Sequence, residues 1–310
     1  VTASTSGQVS RGGLSAASSH AKRSRRFAGS PGIGFVSPAM LLIALVLIAP
    51  SIYGAWFSLH RIRYLAATDF IWFENYIFLF TDPHFLPVVL RTVVFTVASV
   101  MLTMVLGLAL AVWVNRIKGM LGLVLQIVII LPWIISHVVG ALLYKWVVVN
   151  DLGLGRYIME QLGQFGYDPL SDPVQAMIIL IIYSVWRHLG FVMLLMLSGL
   201  KSIPADLYEA AHVDGADAWQ RFVRITLPLL RTPVLIAVVI ETVANINNIE
   251  GPLVVTGGGP AGSTNVLAHD LYVRAFVSYD YSTALALGIS MFIFNIVLAI
   301  SYVKLVNRNG

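Results

Sequence analysis

Polar side chains set within apolar sequence are the residues through which this chain could do chemistry. Glu241, Asn245 and Asn248 recur at spacings of four and three, which places them on one helical face. Together they offer donors and acceptors, suited to a polar solute or to a neighbouring helix, and both uses stand open. Tyr183, Trp186 and Arg187, followed by Gly190, form a second patch whose rings could stack on a ligand or fill an interface. The 7 histidines are scattered, and His137 and His188, beside apolar residues, read as structural rather than as ligands. Cysteine is absent, which removes disulfides, thiolate metal sites and cysteine nucleophiles. The run Gly257-x4-Gly262-Ser263-Thr264 approaches a phosphate-binding loop, but Ser263 stands where such a loop needs lysine. These residues point to no metal site, no cofactor and no catalytic group.

The elements that position them are long apolar runs. Hydrophobic residues make up 58% of the 310 and charged residues 11%, where a soluble domain is about one quarter charged. The bilayer is therefore the natural solvent. Six runs, 35–59, 88–114, 121–149, 174–200, 232–249 and 284–306, are long enough for helices of ~20 residues across a membrane. The predicted fold is all-α, an integral membrane protein with six transmembrane helices. Residues 1–34, rich in Ser, Ala and Gly with Arg11, Lys22, Arg23, Arg25 and Arg26, are expected to form a disordered basic tail, and 35–310 the membrane domain. The run 35–59 exceeds the ~7–15-residue core of a signal peptide, so it reads as a retained first span.

The net charge of +5 lies at the ends of apolar runs rather than in a stripe with interleaved aromatics, which argues against nucleic acid as a partner. Arg116, Lys118, Lys201, Arg221, Arg224, Arg231, Lys304 and Arg308 fall on the side of the basic tail, and the opposite loops dilute their arginines with acids. Positive residues are retained inside, so both termini are expected in the cytoplasm. Arg187 lies near the middle of the fourth run, and Glu241 is the acidic residue inside another. A bare guanidinium is disfavoured in hydrocarbon. An Arg187–Glu241 ion pair is therefore expected, with a direct contact to solute as the competing use of the arginine.

The connection 201–228 is the most informative segment. Pro204 suits a helix start, Asp206 and Glu209 its positive end, and Gly215 its termination; a second short helix carries Trp219, Phe222 and Val223 on one face. Glu209 is expected to fix this helical pair by hydrogen bonding. By composition alone the pair could rest on the membrane surface as an amphipathic hairpin. Glu209, Ala210, Ala211, Gly215, Ile225, Leu227 and Pro228 fit the pattern E-A-A-x3-G-x9-I-x-L-P at every fixed position. That pattern resembles the signature of binding-protein-dependent ATP-binding-cassette importer permeases.

The resemblance covers nearly the whole chain beyond the tail. It implies a six-span core of the maltose-transporter type, with 201–228 as a cytoplasmic coupling loop that docks on a separate ATPase. The implied partners are a second permease subunit, an ATPase dimer, an extracytoplasmic solute-binding protein and membrane lipid. Thr256-Gly257-Gly258-Gly259-Pro260, then Thr264, Tyr272 and Ala275-Phe276, resemble a segment of carbohydrate importer permeases. A sugar substrate is implied, for which Tyr183, Trp186, Arg187, Glu241, Asn245 and Asn248 are the pathway candidates. Asn245, Asn247, Asn248 and Glu250 stand where the family often has an aromatic residue and an aspartate, so the particular sugar stays open. The alternative readings are a secondary transporter using Glu241 as a proton site and a membrane-embedded enzyme, for which no cluster of ionisable groups is found.

Overall fold

The computed structural model describes residues 31–63, 66–148, 153–163 and 168–307. Residues 1–30 of the expected tail, and Arg308, lie outside the described residues. The chain divides into two compact units, Val1–Pro50 and Ser51–Gly310. In the first, α1 (Pro31–Ile43), which starts four residues before the expected domain boundary, continues into a π-helical turn, Ala44–Ile48. Helix α2 (Ala49–Phe57) follows, and Val36–Phe57 is long and apolar enough to cross a membrane.

The second unit opens with an antiparallel hairpin of β1 (His60–Arg63) and β2 (Ala66–Phe70), in register at Ile62 with Ala67. This hairpin is the departure from an all-α chain. Helices α3 (Glu74–Thr81), α4 (Phe85–Asn115), α5 (Met120–Ile134), α6 (His137–Val148), α7 (Leu154–Gln161) and α8 (Pro173–Ser202) come next. Three short helices, α9 (Ala205–Val213), α10 (Ala218–Arg221) and α11 (Leu227–Leu229), lead into α12 (Arg231–Ile246). A π-helical segment (Gly251–Thr256), α13 (Leu267–Tyr272), a π-helical turn (Val273–Val277) and α14 (Tyr281–Asn307) complete the unit.

Among the described residues, four helices are long and apolar enough to cross a membrane, and up to six spans result if each of two bent pairs counts as one. The sequence predicted an unbroken third span, 121–149, whereas the second bend falls before the predicted fifth span, 232–249, in the gap after the second short helix of the loop. The third breaks between α5 and α6 by 104°. Pro132 withholds a backbone donor near the end of α5, and Ile135 turns extended at ψ 146. The second bend, of 64° between the helical run Ala218–Leu229 and α12, comes where Leu230 leaves helical geometry at ψ 0.

Helix α8 is the centre of the unit. Asp172 caps its start by accepting the Val174 and Gln175 N–H groups at 3.0 and 2.8 Å, with Pro173 in the first turn, where its missing donor does no harm. Leu180, Tyr183, Val192, Met193 and Met196 are buried along its length. Glycines let neighbouring backbones close on it. A Cβ at Gly190 would overlap the Ile129 carbonyl oxygen of α5, and one at Gly199 would lie 2.7 Å from Leu230 and 2.8 Å from Pro233. On the facing α4, a Cβ at Gly107 would lie 2.6 Å from Val192. Such contacts matter in a bilayer, where helices associate by packing rather than by escape from water.

In an open helical site Gly→Ala stabilises by ~1 kcal/mol, and Gly54, whose added Cβ would meet only Leu285 at 4.0 Å, is such a site. At Gly190 the overlap reverses the sign, so Gly190→Ala is expected to destabilise by ~1–3 kcal/mol. Thermal unfolding of the two purified variants should therefore shift in opposite directions.

Candidate functional site

The segment between α8 and α12 folds as a helix, a tight turn and a second helix. Pro204 ends the extended link from α8 with ψ 136, and Asp206 sits in the first turn of α9. Gly215, at φ +80, ends α9: its N–H reaches the His212 carbonyl at 3.1 Å and the Ala216 N–H reaches that of Ala211 at 2.9 Å. These are the two bonds of a Schellman turn, whose left-handed position favours glycine. Asp217 caps α10 by accepting the Gln220 N–H at 2.7 Å, while the Asp217 N–H donates to Gln220 Oε1 at 3.1 Å.

The two arms are tied by the Tyr208 and Thr226 hydroxyls, 2.9 Å apart, beside a cavity of about 210 Å³ walled by Asn115, Arg116, Leu200, Arg221 and Phe222. Of the seven motif positions, Glu209, Ala210, Gly215, Leu227 and Pro228 are exposed and Ala211 and Ile225 are half-buried. Glu209 makes no hydrogen bond within the described residues. Tyr208, Thr226 and the Asp217–Gln220 box hold the pair instead, because the α9 face that turns inward carries Tyr208 and Ala211. Val213 is 87% and Trp219 71% exposed, so the loop turns apolar surface outward. That surface is unusual for a chain end of a helix unless something covers it.

Of the pathway candidates, Tyr183, Arg187, Glu241, Asn245 and Asn248 are buried, the guanidinium residue and the carboxylate each at 1% exposure. Glu241 and Asn245 face α8. Asn245 Oδ1 accepts the Ser184 hydroxyl at 2.6 Å, and its Nδ2 donates to the Glu241 carbonyl at 2.9 Å. His188 Nδ1 lies 3.0 Å from the Ser184 carbonyl and 3.7 Å from Glu241 Oε2. Asn248 instead closes the next turn, accepting the Gly251 N–H at 2.9 Å. Asn245 thus serves interhelical bonding, one of the two uses left open by the sequence, while Asn248 bonds within its own segment.

The expected Arg187–Glu241 pair is not formed. Successive helical residues point ~100° apart, so with His188 toward Glu241, Arg187 turns away to α6, where Nη1 would lie 3.6 Å from a Cβ at Gly140. Arg187 Nε and Nη1 and Glu241 Oε2 have no hydrogen-bond partner. Tyr183 and Glu250 are within electrostatic range of the guanidinium. Tyr144 of α6 completes an aromatic group with Tyr183 and Trp186, at centroid distances of 5.3 and 5.7 Å. Ser184, Tyr208 and Thr226 escaped the sequence reading. Ser184 had one available signal, its i,i+4 spacing from His188 on the face opposite the lipid-like residues.

The glycine run after α12 is an ordered turn. Gly257, Gly258 and Gly262 have φ of +64, +76 and +75. The Thr264 hydroxyl donates to the Gly259 carbonyl at 2.8 Å and lies 2.7 Å from that of Thr256, so both motif threonines close the turn. Lys145 Nζ donates to the Val254 carbonyl at 3.0 Å and ties the preceding segment to α6.

Long apolar helices, an exposed helical loop between two of them and buried polar contacts between α8 and α12 define a multi-span membrane protein of the transport class. Residues 103–309 match the family described as binding-protein-dependent transport system inner membrane component, and the chain belongs to that family. Membership makes it a transport permease subunit rather than an enzyme. The trehalose/maltose transport system permease protein MalF of Thermococcus litoralis is 32% identical over 278 residues, 88% of this chain and 92% of that one. The sulfoquinovosyl glycerol transport system permease protein SmoG of Agrobacterium fabrum is 31% identical, covering 87% of this chain and 88% of that one. In fold, the chain matches a bacterial ABC transporter involved in import of the acidic polysaccharide alginate, with a TM-score of 0.76, 22% identity and coverage of 89% and 94%.

Exchanging the charges as Arg187→Glu and Glu241→Arg tests the observed separation of the two groups. Each single variant is expected to lose uptake, and the double variant should do no better than the worse single one, because the two groups do not meet. Restored uptake in the double variant would establish a pair in another conformation.

Proposed function

We propose that the chain is one of two permease subunits forming the pathway of an ATP-driven importer for a sugar or sugar-like solute. Residues 35–310 make the permease domain, six spans place both termini in the cytoplasm of a bacterial-type cell, and 201–228 is the coupling loop. An ATP-binding-cassette ATPase dimer receives that loop, and a solute-binding protein delivers from outside. The observation that carries this reading is the seven-position motif on an exposed helical pair whose Val213 and Trp219 face outward. Exposed apolar side chains on a firmly capped knob suit a groove on a partner. The names of relatives support the solute class, since trehalose, maltose and sulfoquinovosyl glycerol are all glycosides.

Tyr183, Trp186, Arg187, Glu241, Asn245 and Asn248 border the pathway in this reading. Asn245 spends both polar atoms within the chain. The unbonded Arg187 and Glu241 atoms are the ones with capacity left for hydroxyls. They become accessible when α8 and α12 part, as alternating access requires.

The test is the complete complex in vesicles, with ATP hydrolysis measured across trehalose, maltose, sulfoquinovosyl glycerol and glycerol 3-phosphate. One of these should stimulate hydrolysis and accumulate inside; a complex indifferent to all four would refute the sugar class. Gly215→Val places a β-branched residue at φ +80, a strain of ~1–3 kcal/mol, so stimulated hydrolysis and uptake should drop together by roughly tenfold. Normal coupling in that variant would remove the loop from its assigned role. Cysteine at 245 or 248 should be inert to a small aqueous reagent at rest and react during turnover; lasting inertness would exclude that face from the pathway.

A further inference from the structure

One guanidinium joins three elements on the side of the unit away from the coupling loop. Arg274, in the π-helical turn Val273–Val277, places Nη2 at 2.8 Å from Asp82 Oδ2, Nε at 2.7 Å from Asp270 Oδ2 and Nη1 at 3.5 Å from Thr283 Oγ1. Asp82 closes α3 just ahead of α4, Asp270 belongs to α13, and Thr283 lies in the first turn of α14, where its hydroxyl also donates to Asp280. Burial alone would raise the Asp82 carboxyl, but the Arg274 hydrogen bond, the His84 N–H and the guanidinium charge hold it below the ordinary carboxylate range. The bridge is thus fully charged at neutral pH.

The network continues to the glycine turn. Asn265 Nδ2 donates to Asp270 Oδ1 at 3.0 Å, so its own oxygen must be the acceptor for His269 Nδ1, 2.7 Å away, which therefore carries the proton. The His269 ring lies directly against Gly258, where an added Cβ would overlap it. The Leu267 N–H donates to Thr92 Oγ1 at 2.9 Å and anchors α13 on α4. A chain of five side chains therefore runs from the α3–α4 junction to the underside of the turn.

We propose that the relay Asp82–Arg274–Asp270–Asn265–His269 fixes the glycine turn 257–262 in the position in which the outer mouth of the permease takes up solute, with Arg274 as a positioning residue. The proposal rests on the importer reading for its account of which side is outer. A turn with glycines at φ +64, +76 and +75 has many other backbone states open to it, so its position needs an external hold. A bidentate, largely buried ionic hold is a poor source of stability compared with apolar packing but a strongly directional one. Asp82, Arg274, Asp270 and Asn265 spend their hydrogen bonds on one another or on neighbouring groups of the chain, which assigns them to holding rather than to contacting solute.

A spin label on Ala261→Cys, at the exposed tip of the turn, reads its mobility in the complete complex, and the chain has no other cysteine. In parallel, ATP hydrolysis is titrated with whichever sugar of the four-member panel stimulates the unmutated complex most. Arg274→Gln should mobilise the label and raise the half-maximal sugar concentration by about fivefold or more, the lower end of coupling between distinct sites. Basal hydrolysis and the maximal rate per folded complex should be unchanged, and Arg274→Lys should fall between, since an ammonium cannot reproduce the fork. Asn265→Ala cuts the relay at a neutral link while leaving Arg274 its carboxylates, and it should give the same two changes even if Arg274→Gln fails to fold. An unmoved label in Asn265→Ala, or a mobilised label with an unaltered half-maximal concentration, overturns the proposal. An unmutated complex that responds to none of the four solutes counts against the importer's solute class, and the label then still decides whether the relay holds the turn.

Discussion

The structure depends on how closely other backbones can approach α8. Hydrocarbon gives helices no reason to seek each other, so they hold by close packing and by polar groups with nowhere else to bond. Gly190 and Gly199 admit α5 and the start of α12 to within backbone distance, and Gly107 admits α8 to α4. Those approaches bring Ser184 and His188 within reach of Asn245 and Glu241. The same helix thus provides the contact surface and the polar register, and a side chain at either glycine would disturb both.

The loop between α8 and α12 inherits its position from this core. It leaves α8 at Ser202 through the extended Ile203–Pro204 link and re-enters at Leu230, which is itself buried against Gly199. Both ends are therefore fixed to helices that pack together. Within the loop, the Schellman turn at Gly215, the capping box at Asp217 and the Tyr208–Thr226 bond leave few soft joints. Under the proposed docking on an ATPase, these ties direct a push on the exposed face to α8 and α12. Sub-ångström shifts at a rigid contact are amplified when the packed elements behind it have discrete arrangements.

The membrane class, the helical pair and its glycine stop were legible because each has a local physical signature: sustained apolarity, a proline start, a left-handed glycine. The break in the third span was not, because Pro132 resembles the prolines that straight spans tolerate, and the decision rests on Ile135 adopting an extended ψ in context. Depth along two helices placed Arg187 and Glu241 at a similar level but said nothing of azimuth. Rotation by one residue separated them, and only the contact of His188 with Glu241 fixes it. The β1–β2 hairpin was hidden in a polar loop too short for a periodic signal, and the Arg274 network joins residues 192 positions apart.

The buried polar atoms left without partners have a distribution of their own. Among the described residues, Thr96, Ser99 and Thr103 on α4, Arg187 on α8 and Glu241 on α12 belong to three helices that pack on one another, and Ser263 and Asn295 lie elsewhere. Each such group costs ~1–3 kcal/mol relative to a bonded one, so this packing is less favourable than its apolar contacts alone would make it. A rigid structural bundle would replace those residues with apolar ones at no loss. A permease, whose spans must separate and close in every cycle, needs two packings of similar free energy, and groups that bond water or solute in the separated state narrow the gap between them. The unsatisfied set on these three helices therefore lies where the proposed transport cycle would part the packing.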